Sequence, residues 1–380
     1  MTINEQPVYR KELSCGTLTV TPTNGTTLPL DSLFDIAERR NPKRAFLFVS
    51  KVLGRHIPTS PSIMRSAYRQ LAQQLPADLP QPVLFIGMAE TAVGLGAGVF
   101  DEAAKLFDDA VYLTSTRHPV DGELMCEFKE NHSHATDHLL YYPADPALRD
   151  HVSNARTLVL IDDEATTGRT FINLLEALRT EAGLSAVERV VTVTLTDWSG
   201  NAITEQCPLP VTRVSLAQGD WRWEGKPDAP VPVMPNVNVT ASGRVAITGK
   251  QSWGRLGMAT PARDLGITLT ASAGEKVLVL GSGEFVWEPL LLAERLECQG
   301  AEVRFSSTTR SPISTGFAIE SAIAFTDNYG LGIPNFVYNV AHQQFDRILL
   351  CIETPQESVD PALLAALSAV APSVEVIVYE

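Results

Sequence analysis

The chain has 380 residues and a mass of 41.3 kDa, and at roughly 100–200 residues per domain this points to two domains, each able to bury a core without staples. Lys plus Arg number 30 against 44 Asp plus Glu, a net charge of −14, which argues against a nucleic-acid surface but leaves room for a local basic pocket. With no run of ~20 apolar residues to span a bilayer, no apolar signal core in MTINEQPVYRKELSCG, and five scattered cysteines (Cys15, Cys126, Cys207, Cys298, Cys351) forming no CxxC pair, the expectation is a cytoplasmic protein with reduced thiols and no membrane partner.

Short β-branched runs alternate with longer amphipathic stretches. Phe46–Ser50, Val83–Gly87, Ala110–Thr114, His138–Tyr142, Thr157–Asp162 and Arg189–Leu195 read as strands covered on both faces, because they are short and nearly continuously apolar. Helices are expected over Ser62–Leu75, Thr91–Phe107 and Arg169–Glu181, the last with Phe171, Leu174, Leu175 and Leu178 on one face. This alternation predicts a mostly parallel α/β sheet. The pattern stops near Trp223, and residues 224–244 begin with EGKPDAPVPVMPNVNVT, which reads as a Pro-rich linker. A second α/β pattern follows over residues 245–380. Its strands are expected at Val277–Gly281, Glu302–Ser306, Asn335–Val340, Arg347–Glu353 and Val374–Tyr379, and its helices at Phe285–Gln299 and Pro361–Val370.

The strongest local signal is LVLIDDEATTGRT, residues 158–170. A buried strand ends in Asp162 and Asp163, and a Thr/Gly loop leads into a helix. Free N–H groups and the positive helix end favour a phosphate at such a turn, with Thr166 and Thr167 as further donors and Gly168 allowing close approach. Two carboxylates at the strand end accept hydrogen bonds from vicinal sugar hydroxyls. Together these describe a ribose 5-phosphate site.

This segment resembles the phosphoribosyl-pyrophosphate (PRPP) signature of type I phosphoribosyltransferases. The resemblance implies that Asp162 and Asp163 hold the ribose hydroxyls and that Ala165, Thr166, Thr167, Gly168, Arg169 and Thr170 cradle the 5-phosphate. It also implies displacement of pyrophosphate by a nitrogenous base, with Mg²⁺ carried on the pyrophosphate. Gly87-Met88-Ala89-Glu90-Thr91 stands where the family places its pyrophosphate loop, so Ala89 and Glu90 join the PRPP-binding set; the plainer reading is a strand-to-helix turn. Lys51 and His56 fall in the region of the base-binding hood, or are solvated surface. Residues 115–138 look like the mobile flap, with Arg117 and Lys129 as cations for the leaving pyrophosphate; these two and Asp163 are the expected catalytic residues. Lys129-Glu130-Asn131-His132 is similar to the orotate phosphoribosyltransferase flap but lacks its Gly-rich continuation. His132, His134 and His138 are alternatively metal ligands.

Thr309-Arg310-Ser311-Pro312 resembles the TRSP domain that follows an orotate-phosphoribosyltransferase-like domain in bacterial tellurium-resistance stress gene clusters. The resemblance implies a stress-linked pathway to a nucleoside-like metabolite. The halves also echo one another: Glu90 to Arg117 spans 27 residues and Glu284 to Arg310 spans 26, which suggests that the second half is a diverged copy. Glu353-Thr354-Pro355 replaces the acid pair and TTG loop there. Ser282, Gly283, Glu284, Thr309, Arg310 and Glu353 are therefore expected to converge on a second cleft for a different anionic ligand, or else to cap helices.

The reading is a type I phosphoribosyltransferase-like α/β domain, residues 1–223, followed by a second α/β domain. It is expected to act on PRPP and a nitrogenous base, with Mg²⁺, as a homo-oligomer. The alternatives are a non-catalytic PRPP-sensing regulator and a bifunctional enzyme with a hydrolase or lyase in the second domain.

Overall fold

The computed structural model describes residues 6–380 apart from 25, 42, 130–137, 240, 248–251 and 261–265. In chain order its elements are β1 (Tyr9–Glu12), β2 (Gly16–Pro22), α1 (Leu30–Leu33), β3 (Phe34–Glu38), β4 (Phe46–Ser50), α2 (Pro61–Gln73), β5 (Val83–Gly87), α3 (Val93–Ala103), β6 (Ala110–Thr114), β7 (Leu124–Phe128), β8 (His138–Tyr141), α4 (Pro146–Ser153), β9 (Thr157–Ile161), β10 (Glu164–Ala165), α5 (Arg169–Thr180), β11 (Arg189–Asp197), α6 (Ala202–Gln206) and β12 (Val211–Gly225). The second half adds β13 (Lys276–Gly281), α7 (Trp287–Cys298), β14 (Glu302–Ser307), β15 (Ala322–Thr326), β16 (Pro334–Tyr338), β17 (Arg347–Ile352), α8 (Pro361–Ser368) and β18 (Ser373–Val378).

The main sheet runs β1-β2-β12-β11-β9-β5-β6, with β10 added on β11. From β12 to β6 its pairings are parallel. Strand residues alternate between two faces: Val83, Phe85, Val159 and Ile161 enter one apolar core, while Leu84, Ile86, Leu158 and Leu160 enter another. That double covering explains why these strands are apolar at every position. Three runs read as sheet strands lie elsewhere. Among the named strands β4 pairs with β3, β8 with β7, and β16 with β15, each in an antiparallel hairpin off the main sheets. β7 lies inside the segment expected to be a mobile flap.

The second half forms a parallel sheet of order β14-β13-β17-β18. It repeats the order β6-β5-β9-β11 of the first half, with hairpin β15–β16 in the place of β7–β8. The correspondence extends to single hydrogen bonds. Ser115 N donates to Gly87 O and Thr308 N to Gly281 O. Ala89 N donates to the Ser115 hydroxyl and Gly283 N to the Thr308 hydroxyl. Thr116 bridges Leu139 as Thr309 bridges Phe336. Glu90 and Glu284 are thus equivalent, as are Arg117 and Arg310.

The halves also exchange edges. Thr59, from the loop before α2, bridges Phe305 of β14, while Met258, from the segment before β13, bridges Tyr112 of β6. Gly54 O accepts from the Ser307 hydroxyl and Gly254 O from Thr114 N. Gly54 and Gly254 both have positive φ, 67° and 87°; a turn this tight favours glycine. Val277, Val279 and α7 share one apolar core with α2, α3 and β5, so hydrophobic burial runs unbroken across both halves.

Candidate active site

The acid pair leaves the C-terminal end of β9, where parallel α/β sheets present their ligands. Asp162 N donates to Val193 O at 3.0 Å and Asp163 N to Asp162 Oδ1 at 2.9 Å. Burial raises the Asp163 carboxyl and the neighbouring Glu164 adds to that, while hydrogen bonds from Asp162 and Thr91 work against it. Next, β10 pins Glu164 and Ala165 against Thr196 and Asp197. Gly168 caps α5 with φ 74°, and a Cβ there would meet Ile203 Cγ1 at 2.1 Å. Only glycine satisfies both the conformation and the space. Thr166, Thr167, Arg169 and Thr170 remain at least partly exposed around this turn, and the Thr167 hydroxyl accepts from Arg169 N.

Arg44, between β3 and β4, was not singled out by the sequence. Its Nη2 lies 2.8 Å from Glu164 Oε1 and its Nη1 3.3 Å from the Thr166 hydroxyl. The guanidinium sits 4.9 Å from the Phe46 ring centroid, with Phe48 and Trp221 close by, a platform that orients a planar cation.

The second loop turns after β5 and opens α3. Its Ala89–Glu90 peptide is cis. The Thr91 hydroxyl donates to Asp163 Oδ1 at 3.1 Å, so the two loops meet. Glu90 receives Arg55 Nη1 at 3.3 Å and Arg310 Nε at 3.4 Å. Arg55 is buried; it also donates to Glu90 O, Gly283 O and Thr308 O at 2.9, 2.7 and 2.7 Å. Neither the role of Arg55 nor the destination of Arg310 was anticipated.

Several expected members stand elsewhere. The Lys51 ammonium donates to Asp31 O at 2.6 Å and touches neither loop. His56 is neither solvated nor open to a base: it is buried edge-on against Tyr338, and burial with the adjacent Arg55 pushes its imidazole down to about 3. Arg117 is buried, with Nη2 3.3 Å from His138 Nε2. His138 is a core residue stacked on Phe128 and bonded to Ser115. His132 and His134 lie outside the described residues, and no group of three or more metal-type ligands occurs among the described ones. Lys129 follows β7, and its carbonyl accepts from Asn173 of α5.

The second-half cluster is a buried ion-pair knot rather than an open cleft. Arg255 spans Glu284 and Glu353, donating to both carboxylates at 2.6–2.9 Å. Tyr329 donates to Glu353, and Thr116 and Arg117 N donate to Glu284. Burial would raise Glu284, but Arg255 and these donors hold it at about 2. A cavity of about 350 Å³ borders the knot, lined by residues that include His118, Ser252, Arg255 and Tyr329. Arg310 does not join it, because it crosses to Glu90, and Ser282, Gly283 and Thr309 serve the turn beneath.

Residues 33–220 match the family described as phosphoribosyl transferase, and residues 243–367 match the one described as TRSP domain C terminus to PRTase_2. The chain carries a phosphoribosyltransferase domain followed by a TRSP domain. No curated protein matches it. Among solved structures it is similar to adenine phosphoribosyltransferase from Leishmania donovani, with 16% identity, 49% of this chain and 76% of that chain covered, and a TM-score of 0.34. It is also similar to the enzyme from Thermoanaerobacter pseudethanolicus, with 14% identity, 50% and 96% covered, and a TM-score of 0.33. For orotate phosphoribosyltransferase from Aeropyrum pernix the values are 16%, 46% and 80%, and 0.27. In the phosphoribosyltransferase domain the acid pair, the Gly168 turn and the loop after β5 lie together at one end of the sheet. No helix among the described residues is long and apolar enough to cross a membrane.

Proposed function

We propose that the first domain binds PRPP and transfers its ribose 5-phosphate to a nitrogenous base. The observation that carries this is the meeting of the acid-pair loop and the β5–α3 loop through Thr91 and Asp163. In this reading Asp162 and Asp163 hold the ribose diol, while residues 165–170 receive the 5-phosphate at the N-terminus of α5. Ala89 and Glu90 line the pyrophosphate side. As the bond from the anomeric carbon to the pyrophosphate oxygen breaks, that oxygen keeps the electron pair; the base nitrogen then bonds to the carbon and loses its proton. The chain positions the two reactants and stabilises the charge. Lys129, exposed after β7, is the cation assigned to the leaving group, whereas Arg117 is turned to His138.

Mg²⁺, if bound, would supply charge neutralisation on the pyrophosphate. The oxygen donors of Asp162 and Asp163 fit a hard cation, though they are too few to form a cage by themselves. The acceptor base is open. Membership of a stress-linked, tellurium-resistance pathway to a nucleoside-like product is supported by the order of the two domains. A cytoplasmic protein is the accompanying proposal, supported by the free state of all five cysteines.

The test is incubation with PRPP, Mg²⁺ and a panel of bases, following pyrophosphate release by phosphorus NMR. Asp162→Asn with Asp163→Asn should abolish PRPP binding in calorimetry and leave the fold intact, since both side chains lie beyond the strand's core positions. Unchanged PRPP affinity in that double variant would overturn the assignment.

A further inference from the structure

The TRSP motif raises the question of why an arginine in the second domain is built to leave it. Its neighbours in sequence are fixed to their own domain. The Thr309 hydroxyl accepts from Ser311 N at 3.2 Å. The Tyr338 hydroxyl donates to Ser311 O at 2.6 Å and accepts from Ile313 N at 2.8 Å. Thr309 also exchanges two backbone hydrogen bonds with Phe336. Arg310 projects from this clamped turn across the boundary and reaches Glu90, in the loop after β5 of the first domain.

The equivalent positions of the two halves show what is unusual here. Glu284 shares Arg255 with Glu353, and Arg255 spends its donors on these carboxylates. At Glu90 the equivalent arginine, Arg55, gives three of its contacts to backbone carbonyls and only a 3.3 Å contact to the carboxylate. A carboxylate beside a pyrophosphate turn repels the ligand unless a cation offsets it. Arg310 is a second such cation beside Arg55, with its Nε 3.4 Å from the Glu90 carboxylate. A guanidinium fork also suits a phosphate better than a point charge does.

We propose that Arg310 is a pyrophosphate-binding residue of the phosphoribosyltransferase site, supplied by the TRSP domain. This rests on the PRPP reading above. The second domain thereby completes the site of the first.

The experiment uses the full chain with Mg²⁺ and two separate probes, inorganic pyrophosphate and ribose 5-phosphate, titrated calorimetrically. Arg310→Ala should weaken pyrophosphate binding tenfold or more and leave ribose 5-phosphate affinity within twofold of the parent. Arg310→Lys should recover part of the loss. Retained ribose 5-phosphate binding also shows that the variant is folded. Pyrophosphate affinity within twofold of the parent, or equal losses for both probes in Arg310→Ala and Arg310→Lys, would overturn the proposal and make Arg310 structural. A parent chain that binds neither probe overturns the PRPP reading and this assignment together. Arg310-dependent pyrophosphate binding without ribose 5-phosphate binding would overturn the reading alone.

Discussion

Thr91 donates its hydroxyl hydrogen to the Asp163 carboxylate across 3.1 Å, and this one bond ties the turn after β5 to the turn after β9. Thr91→Val keeps the shape and removes the donor. A hydrogen bond to a charged group contributes about 1.5–3 kcal/mol. PRPP affinity should therefore fall roughly tenfold to a hundredfold. Calorimetric titration checks this, and an affinity equal to that of the parent chain would show that the two loops are held in place by other means.

Gly168 stands where φ is 74° and where a Cβ would lie 2.1 Å from Ile203. Gly168→Ala should lose the phosphate turn and lower stability, because a left-handed backbone alone costs an alanine about 1–2 kcal/mol. Gly168→Ala with Ile203→Ala should relieve the clash but not the backbone cost. Urea unfolding of both variants separates the two contributions, and a fully stable single variant would contradict the geometry.

Arg255 is the sole cation shared by the buried carboxylates of Glu284 and Glu353 among the described ion pairs. Arg255→Met should destabilise the chain by about 3–5 kcal/mol, the scale of leaving buried charges uncompensated. Adding Glu284→Gln and Glu353→Gln should recover much of that loss. If the triple variant is no more stable than the single one, lost packing around the methylene stem matters more than charge.

Glu288 is buried on α7 with no ion pair among the described residues, and burial pushes its carboxyl up to about 8. The folded chain keeps this proton to about pH 8, whereas the unfolded chain releases it near the ordinary value of 4.5. Its contribution to stability is thus fully present below pH 4.5, declines as pH rises, and levels off above 8. Glu288→Gln should remove that decline. Thermal unfolding from pH 5 to 9 should show the variant gaining on the parent up to about pH 8; parallel curves would mean that Glu288 is already ionised in the folded state.

The sequence showed the strand–acid–acid–TTG–helix run because every part of that site is local: four turns of logic fall on thirteen consecutive residues. Both parallel sheets were legible for a related reason, since doubly covered strands carry continuous apolar runs. The same rule misplaced β4, β8 and β16: Val49 of β4 packs with Phe336 and Tyr338 of β16 across the halves, whereas Leu140 of β8 enters a core of the first half alone. Arg44, Arg55 and Arg255 carried no local signature. The carbonyl partners of Arg55 at Gly283 and Thr308 lie 228 and 253 residues away. One clue was present, the paired Gly54-Arg55 and Gly254-Arg255 dipeptides, which extend the internal echo beyond the stretches that first suggested it. Lys51 and His56 were placed by their neighbourhood in a family pattern; Tyr338 and Asn339 of the other half enclose His56, while Lys51 turns to Asp31 O in its own half.

That exchange sets how the two halves can be inherited. Each half lends a strand-like segment to the sheet edge of the other, through Thr59 on β14 and Met258 on β6. Produced from separate genes, each would present a bare edge ready to pair with any extended chain. A cut between residues 226 and 239, in the stretch without helix or strand, would leave a nicked but undivided particle, because the lent segments lie outside the cut. A substitution at Thr59 or Met258 therefore acts on the sheet edge of the half that does not encode it.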